Sequence, residues 1–387
     1  MPPEHRFVIA ACARWEAGYV VEWLNYHRAI GFDHVYLYCN DDSPHALFES
    51  VLPFTQGNSP FVTFRFFPRQ GEQREMLLHF LQNDRHAAEW ISFLDLDEFI
   101  RLPEHQSIGQ FIASFGPAVD CVMFNWVFFG PNGHVAPPAQ GVLQAYTRRE
   151  AVLHPFTKHV TRSHIFDDPK LVSNTTDASF IHRVAEYLEK PARCVNVLGE
   201  DMTHYYEDFP EAAAAFVRHP PRQAQIFDLA VVHHYAFRSE RAFHDRAARG
   251  LKGGFARQII WFELADGPNF HNYLAEVNEI EDRRLADFWQ YLIGQSEQTL
   301  VQPDPPALDL GAIMIIREVR LRARPGESQL CLSVSIEGTV WVELAREMSA
   351  MEGGFGWRGP GAAWARFVRV ALPEGQAIPA DQIQIVA

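Results

Sequence analysis

Over the first 240 positions, apolar residues come in short solid runs separated by amphipathic stretches. Residues 7–12, 34–39, 61–67, 90–100 and 119–129 are near-continuous apolar runs, the pattern of strands buried on both faces of a sheet. Between the first two, Tyr19, Val20, Trp23, Leu24, His27 and Ile30 recur at helical spacing, and Gly31 stands where a helix cap belongs. Residues 71–88 read as a second helix before the central run. This strand-helix-strand opening predicts an α/β fold on a parallel sheet with right-handed crossovers. Beyond it, residues 157–160 are strand-like, 211–217 helical, and 231–239 a strand entry interrupted by His233 and His234. Helical patterns return at 239–251 and 274–292. After the Pro-rich break at 302–306 the texture changes to short alternating runs at 313–322, 329–336, 339–345, 364–370 and 382–386. These predict a small all-β module, such as a sandwich. The expected domains are therefore residues 1–300 and 307–387.

Chemistry collects where ligands bind in such sheets, at the carboxyl ends of strands. Arg14 and Glu16 follow the first run, Asp41 and Asp42 the second, and Asp95, Asp97 and Glu98 close the central one. In an extended chain Asp95 and Asp97 point to the same face. Two carboxylates so placed repel, and a hard divalent ion such as Mg2+ or Mn2+ that bridges to substrate phosphates resolves this. Taken alone, the same acids also read as a strand end resting in water or capping a helix. Gly130 and Gly133 flank a Pro-Asn turn that lets backbone approach a ligand closely or simply ends a strand. Lys158 offers a cation for phosphate, and His234 a neutral imidazole for a metal.

Composition narrows the classes. The chain has 387 residues, 47% hydrophobic and 13% aromatic, with a formal net charge of −14. It is globular, and the acidic balance argues against a nucleic-acid partner while leaving room for a nucleotide ligand. Five scattered cysteines show no metal spacing and predict buried, reduced thiols. No secretory signal or bilayer-length apolar stretch is evident, so a cytoplasmic location is expected, open to peripheral contact with the inner face of a membrane.

Four blocks in order carry a resemblance. They are Glu16-x-x-Tyr19-Val20-x-Glu22-Trp23-Leu24-x-Tyr26-His27-x-x-Ile30-Gly31-Phe32-x-His34-Val35-Tyr36, Trp90-Ile91-x-Phe93-Leu94-Asp95-Leu96-Asp97-Glu98-Phe99, Phe124-Asn125-Trp126-x-x-Phe129-Gly130-x-x-Gly133-His134, and His234-Tyr235-x-x-Arg238-Ser239. Together, over roughly residues 6–255, they resemble the glycosyltransferase family 2 and family 92 group. The group's Lys-Asn-Glu after the first strand is here Ala13-Arg14-Trp15-Glu16, and its lysine after the Arg-Ser block is replaced near Asp245-Arg246.

The resemblance implies a GT-A (Rossmann-like) domain that binds a UDP- or GDP-linked sugar donor with Mn2+ or Mg2+. By position, Glu16 and Asp41 or Asp42 would face base and ribose, and Asn125 and Gly130 would also lie along the donor. Asp95, Asp97 and His234 would hold the metal, with Lys158 at the phosphates. The implied reaction is an inverting transfer to a hydroxyl of a glycan, glycolipid or small molecule, with Asp201 or Glu200 as the base. Two other classes remain: a nucleotidyltransferase acting on a sugar phosphate, and a non-catalytic glycan-binding protein working through the β module.

Overall fold

The computed structural model describes residues 3–56, 60–104, 106–168, 170–171, 178–248, 267, 269–300, 307–322, 330–336, 341–345, 348–351, 354–372 and 378–386, and every statement below concerns those. The end of the helix expected over 239–251, and parts of the β runs expected at 329–336 and 339–345, lie outside them. The chain divides into two compact units, one of Met1–Val51 and Phe61–Gln290, the other of Leu52–Pro60 and Tyr291–Ala387.

The first unit is built on one nine-stranded sheet. Its strands are β1 (His5–Ala13), β2 (His34–Cys39), β3 (Val62–Phe66), β4 (Ala88–Phe93), β5 (Glu98–Arg101), β6 (Cys121–Phe128), β7 (His154–Arg162), β8 (Cys194–Asn196) and β9 (Val231–His234). They lie in the order β3-β2-β1-β4-β7-β6-β9-β5, with β8 beside β6. The first four are mutually parallel, as the apolar runs predict. The sheet as a whole is mixed. β7 enters between β4 and β6 antiparallel to both, extending well beyond the residues expected as strand. β9 runs parallel to β6, and β5 closes the edge antiparallel to β9.

The central apolar run is not one strand. β4 ends at Phe93, the chain turns with the Glu98 amide donating to the Asp95 carbonyl (3.0 Å), and β5 starts on the far edge of the sheet. The face-sharing expected of Asp95 and Asp97 in an extended chain therefore does not hold. Helix α1 (Val20–Ala29) anchors that edge. Trp23, Leu24, Tyr26 and His27 fall on its buried face. Trp23 Nε1 donates to the Glu98 carbonyl (2.9 Å) and Tyr26 Oη to that of Ile100 (2.7 Å), satisfying acceptors that an edge strand otherwise leaves open. Gly31, at φ +99°, ends the helix as its position predicts.

Helix α2 (Gln73–Asn83) is shorter than the 71–88 pattern and buries Met76, Leu77, Phe80 and Leu81. The pattern at 274–292 is two helices, Phe270–Glu276 and Arg284–Leu300, interrupted by Ile280–Glu281 pairing with Arg148–Arg149. The second unit holds one six-stranded antiparallel sheet in place of the sandwich suggested by the pattern. Val319, Leu332, Val334, Phe355, Val368 and Val370 form its core.

One loop offers a stability test. Gly141 has φ +83° and ψ 179°, and a Cβ there would lie 2.9 Å from both carboxylate oxygens of Glu22. Those oxygens accept from the Val142 and Leu143 amides at 2.6 and 3.1 Å. Gly141→Ala is expected to cost about 1–3 kcal/mol, because that backbone region is open essentially to glycine alone. Urea or thermal melting reads the loss.

Candidate functional site

The loops following β1 and β2 meet. The Trp15 amide donates to Asp41 Oδ1 (2.6 Å), and Arg14 donates to the Asn40 carbonyl (2.8 Å) while standing 3.8 Å from Asp42. Trp15 itself adopts φ +59° and leaves its ring exposed. Glu16 is buried and receives Arg238 Nη2 at 3.0 and 3.3 Å, and that guanidinium lies 3.8 Å over the Tyr19 ring.

At the turn after β4 the three acids have different fates. Asp95 keeps 31% of its side chain exposed and accepts from Gln73 Nε2 and Lys158 Nζ, both at 3.0 Å. Glu98 is fully buried, accepts from the Asp95 amide (2.9 Å) and lies 3.2 Å from the same Lys158. Asp97 is 4% exposed, with Oδ2 on Arg246 and Oδ1 3.5 Å from His234 Nε2. The Tyr235 amide donates to the Asp97 carbonyl (2.7 Å), tying this turn to the end of β9. Arg246 comes from helix α3 (Glu240–Ala248).

Charge explains the arrangement. Burial pushes the Asp97 carboxyl up, but the Arg246 and Arg238 guanidiniums, helped by the hydrogen bond from His234, outweigh it and hold the group well below the usual carboxylate range. Burial pushes Glu98 well up, against the pull of Lys158 and reinforced by Asp95 and Asp97. Lys158, wholly buried, stays charged because Asp95 and Glu98 outweigh its own desolvation. His234 is kept neutral mainly by burial, and its Nδ1 has no hydrogen-bond partner.

These pairings revise several expectations. Repulsion between Asp95 and Asp97 does not itself demand an external ion, since Lys158 serves one and Arg246 the other. Lys158 is a buried counter-ion and presents no free head for phosphate. Asn125 is buried, donating to Tyr205 Oη (3.1 Å) and the His154 carbonyl (3.3 Å). The space beside Gly130 is filled by Asn278, 2.6 Å from where a Cβ would stand, so the close neighbour there is internal. Glu200 is held by Arg222 (2.9 Å) and Asn196 (2.7 Å). Asp201 is exposed and accepts from Thr203 Oγ1 (2.7 Å). Neither of these two acids bonds to the Asp97 cluster.

Residues the pattern did not single out also matter. In the sequence Arg246 stands only as the replacement for a lysine after the Arg-Ser block, with no sign that its partner is Asp97. Arg238 lies in a quoted block, but its pairing with Glu16 joins positions 222 apart. Glu150, pushed up to about 7 mainly by burial, accepts from the Phe128 amide (2.8 Å) at the end of β6.

The fit of a divalent ion follows from the donor set. Among the described residues no group of three or more His, Cys, Asp or Glu side chains forms a ready cage. An ionised Asp97 beside a neutral His234 with an unpartnered ring nitrogen is nonetheless suitable chemistry. Ions that bridge phosphates commonly take only one or two protein ligands.

The glycosyltransferase family 92 model matches residues 11–208, just over half of the chain. The chain belongs to glycosyltransferase family 92. Curated family 92 proteins from Oryza sativa subsp. japonica and Ricinus communis are 28% and 29% identical over 149 and 150 residues. Each alignment covers 38% of this family 92 chain but only 25% and 26% of those relatives. Among solved structures, S. aureus TarS in complex with UDP aligns at 13% identity and TM-score 0.31, over 49% of this chain and 60% of that one. The mannosyltransferase PcManGT from Pyrobaculum calidifontis, in complex with GDP-Man and Mn2+, aligns at 12% and 0.31, over 75% and 88%. No helix among the described residues is long and apolar enough to cross a membrane.

Proposed function

We propose that the chain transfers a sugar from a nucleotide-diphosphate donor to a hydroxyl acceptor, with inversion, at the carboxyl ends of β1, β2 and β4. The observation that carries this reading is the buried, ionised Asp97 facing neutral His234 at 3.5 Å, at the turn closing the central strand of a family 92 chain. Asp97 and His234, with Asp95 beside them, would hold Mn2+ or Mg2+. Such an ion supplies Lewis-acid stabilisation of the departing diphosphate.

The chain's own residues supply the rest. Asp41 and Asp42 bind the ribose side, and the exposed Trp15 ring stacks on the base. Arg238 fixes Glu16 in orientation, so that its carboxylate is set before the nucleotide arrives. Lys158 holds Asp95 and Glu98 in place from below. Asp201, the acid here with an exposed side chain and no cationic clamp, takes the proton from the acceptor hydroxyl, and Glu200 braces the same turn through Arg222. Trp126, beside His234 with ring centroids 4.6 Å apart, lines the acceptor side.

Thermal melting with nucleoside diphosphates tests this. UDP or GDP at about 100 times its Kd should add about 2.7 kcal/mol of stability, and the shift should require Mn2+. If neither nucleotide moves the melting temperature with or without Mn2+, the donor reading falls. Product analysis separates the reaction class. Release of nucleoside diphosphate supports transfer, and release of pyrophosphate points to a nucleotidyltransferase.

A further inference from the structure

Three cations face the acids of this site, and they are not equally exposed. Lys158 has none of its side chain exposed and sits between Asp95 and Glu98. Arg238 is 4% exposed, bonded through Nη2 to both oxygens of Glu16 and stacked on Tyr19. Arg246 keeps 20% of its side chain exposed and reaches Asp97 from α3. A long, partly solvated side chain can leave its partner without moving the backbone that carries it. Asp97, 4% exposed and anchored through its own carbonyl, cannot follow.

The Asp97 carboxylate is divided between two claims. Oδ2 belongs to Arg246, and Oδ1 faces His234 Nε2. A divalent ion on this carboxylate would stand beside a guanidinium in a poorly solvated pocket, where like charges repel strongly. The two cations therefore oppose each other. Resting on the divalent-ion reading above, we propose that Arg246 and the ion compete for Asp97. Ion binding then releases the Arg246 guanidinium toward the donor's diphosphate, an anion whose geometry guanidinium groups match. Arg246 thus has two partners in turn in this scheme. It neutralises Asp97 when no ion is bound and adds positive charge to the phosphates once one is.

Calorimetric titration of the full chain with MnCl2 alone, run beside thermal melting, tests the exchange. Arg246→Gln should bind Mn2+ about tenfold more tightly than the parent, the scale of one pK unit of charge coupling. Its melting temperature should rise more with Mn2+ than the parent's, because the ion replaces the missing counter-charge. With Mn2+ saturating, affinity for UDP or GDP should fall about tenfold in the same variant, a loss of the size expected for one charge-assisted contact. Equal Mn2+ affinity in parent and variant overturns the competition while leaving the divalent-ion reading intact. If neither folded protein binds Mn2+, the divalent-ion reading fails and the competition with it. Should Arg246→Gln not fold, Arg246→Lys carries the test. A lysine grips Asp97 through fewer bonds and should give a smaller gain in Mn2+ affinity, and no gain overturns the proposal.

Discussion

Asp97→Asn is expected to slow sugar-donor turnover by about a hundredfold or more, near 3 kcal/mol of transition-state stabilisation. The substitution is close to isosteric, so the turn between β4 and β5 keeps its shape and the Asp97 carbonyl keeps the Tyr235 amide. What changes is charge. An amide neither balances Arg246 nor offers a strong oxygen ligand beside His234. Arg246 retains partial solvent contact, so the variant should melt within a few degrees of the parent and the loss should lie in chemistry. Single-turnover release of nucleoside diphosphate from a sugar nucleotide is the appropriate measurement, paired with a melting curve. The parental rate in a folded variant would remove Asp97 from the reacting site altogether.

Lys158→Met should have the largest effect on stability. The side chain is buried between Asp95 and Glu98, and removing one partner of such a cluster typically costs about 3–5 kcal/mol. That is a large share of the roughly 5–15 kcal/mol that holds a domain folded. The loss should depend on pH with a definite sign. Glu98 already has its folded carboxyl pushed above the ordinary value, and Lys158 is what restrains it. Without Lys158 the folded state binds more protons than the unfolded one at every pH between about 4.3, the unfolded value, and the raised folded value. Stability then falls as pH rises through that window. Urea melts across this range should show the deficit shrinking toward acid. Adding Glu98→Gln should recover part of the deficit, since it removes one of the two stranded carboxylates. A Lys158→Met protein as stable as the parent at neutral pH would show that the buried cluster is not ionised as drawn.

The two variants separate the roles of neighbouring acids. Asp97 is buried yet faces a histidine and a partly exposed arginine, an arrangement suited to a ligand. Glu98 is buried against a lysine that has no exposed surface, an arrangement suited to fold integrity. Chemically the two acids are close relatives one position apart. Their environments assign them different work.

The parallel opening of the sheet was readable from the amino acids alone, because β1, β2 and β4 are buried on both faces and leave near-continuous apolar runs. The ends of those strands were equally plain, and so the region holding Glu16, Asp41, Asp95 and Asp97 could be named in advance. Helix α1 showed its buried stripe and its terminating Gly31 through local spacing. Folding in three dimensions decided the rest. That β7 would insert antiparallel depends on pairing between distant segments, which leaves no mark in a local pattern. That the run 90–100 would break at Asp95 depends on β5 finding β9 and α1 across the sheet. The partners of the acids were the least readable feature. Glu16 meets Arg238, Asp95 meets Lys158 and Asp97 meets Arg246 only after the chain has closed. Coulomb interactions in a desolvated site depend on distance through space, and separation along the chain carries little information about it.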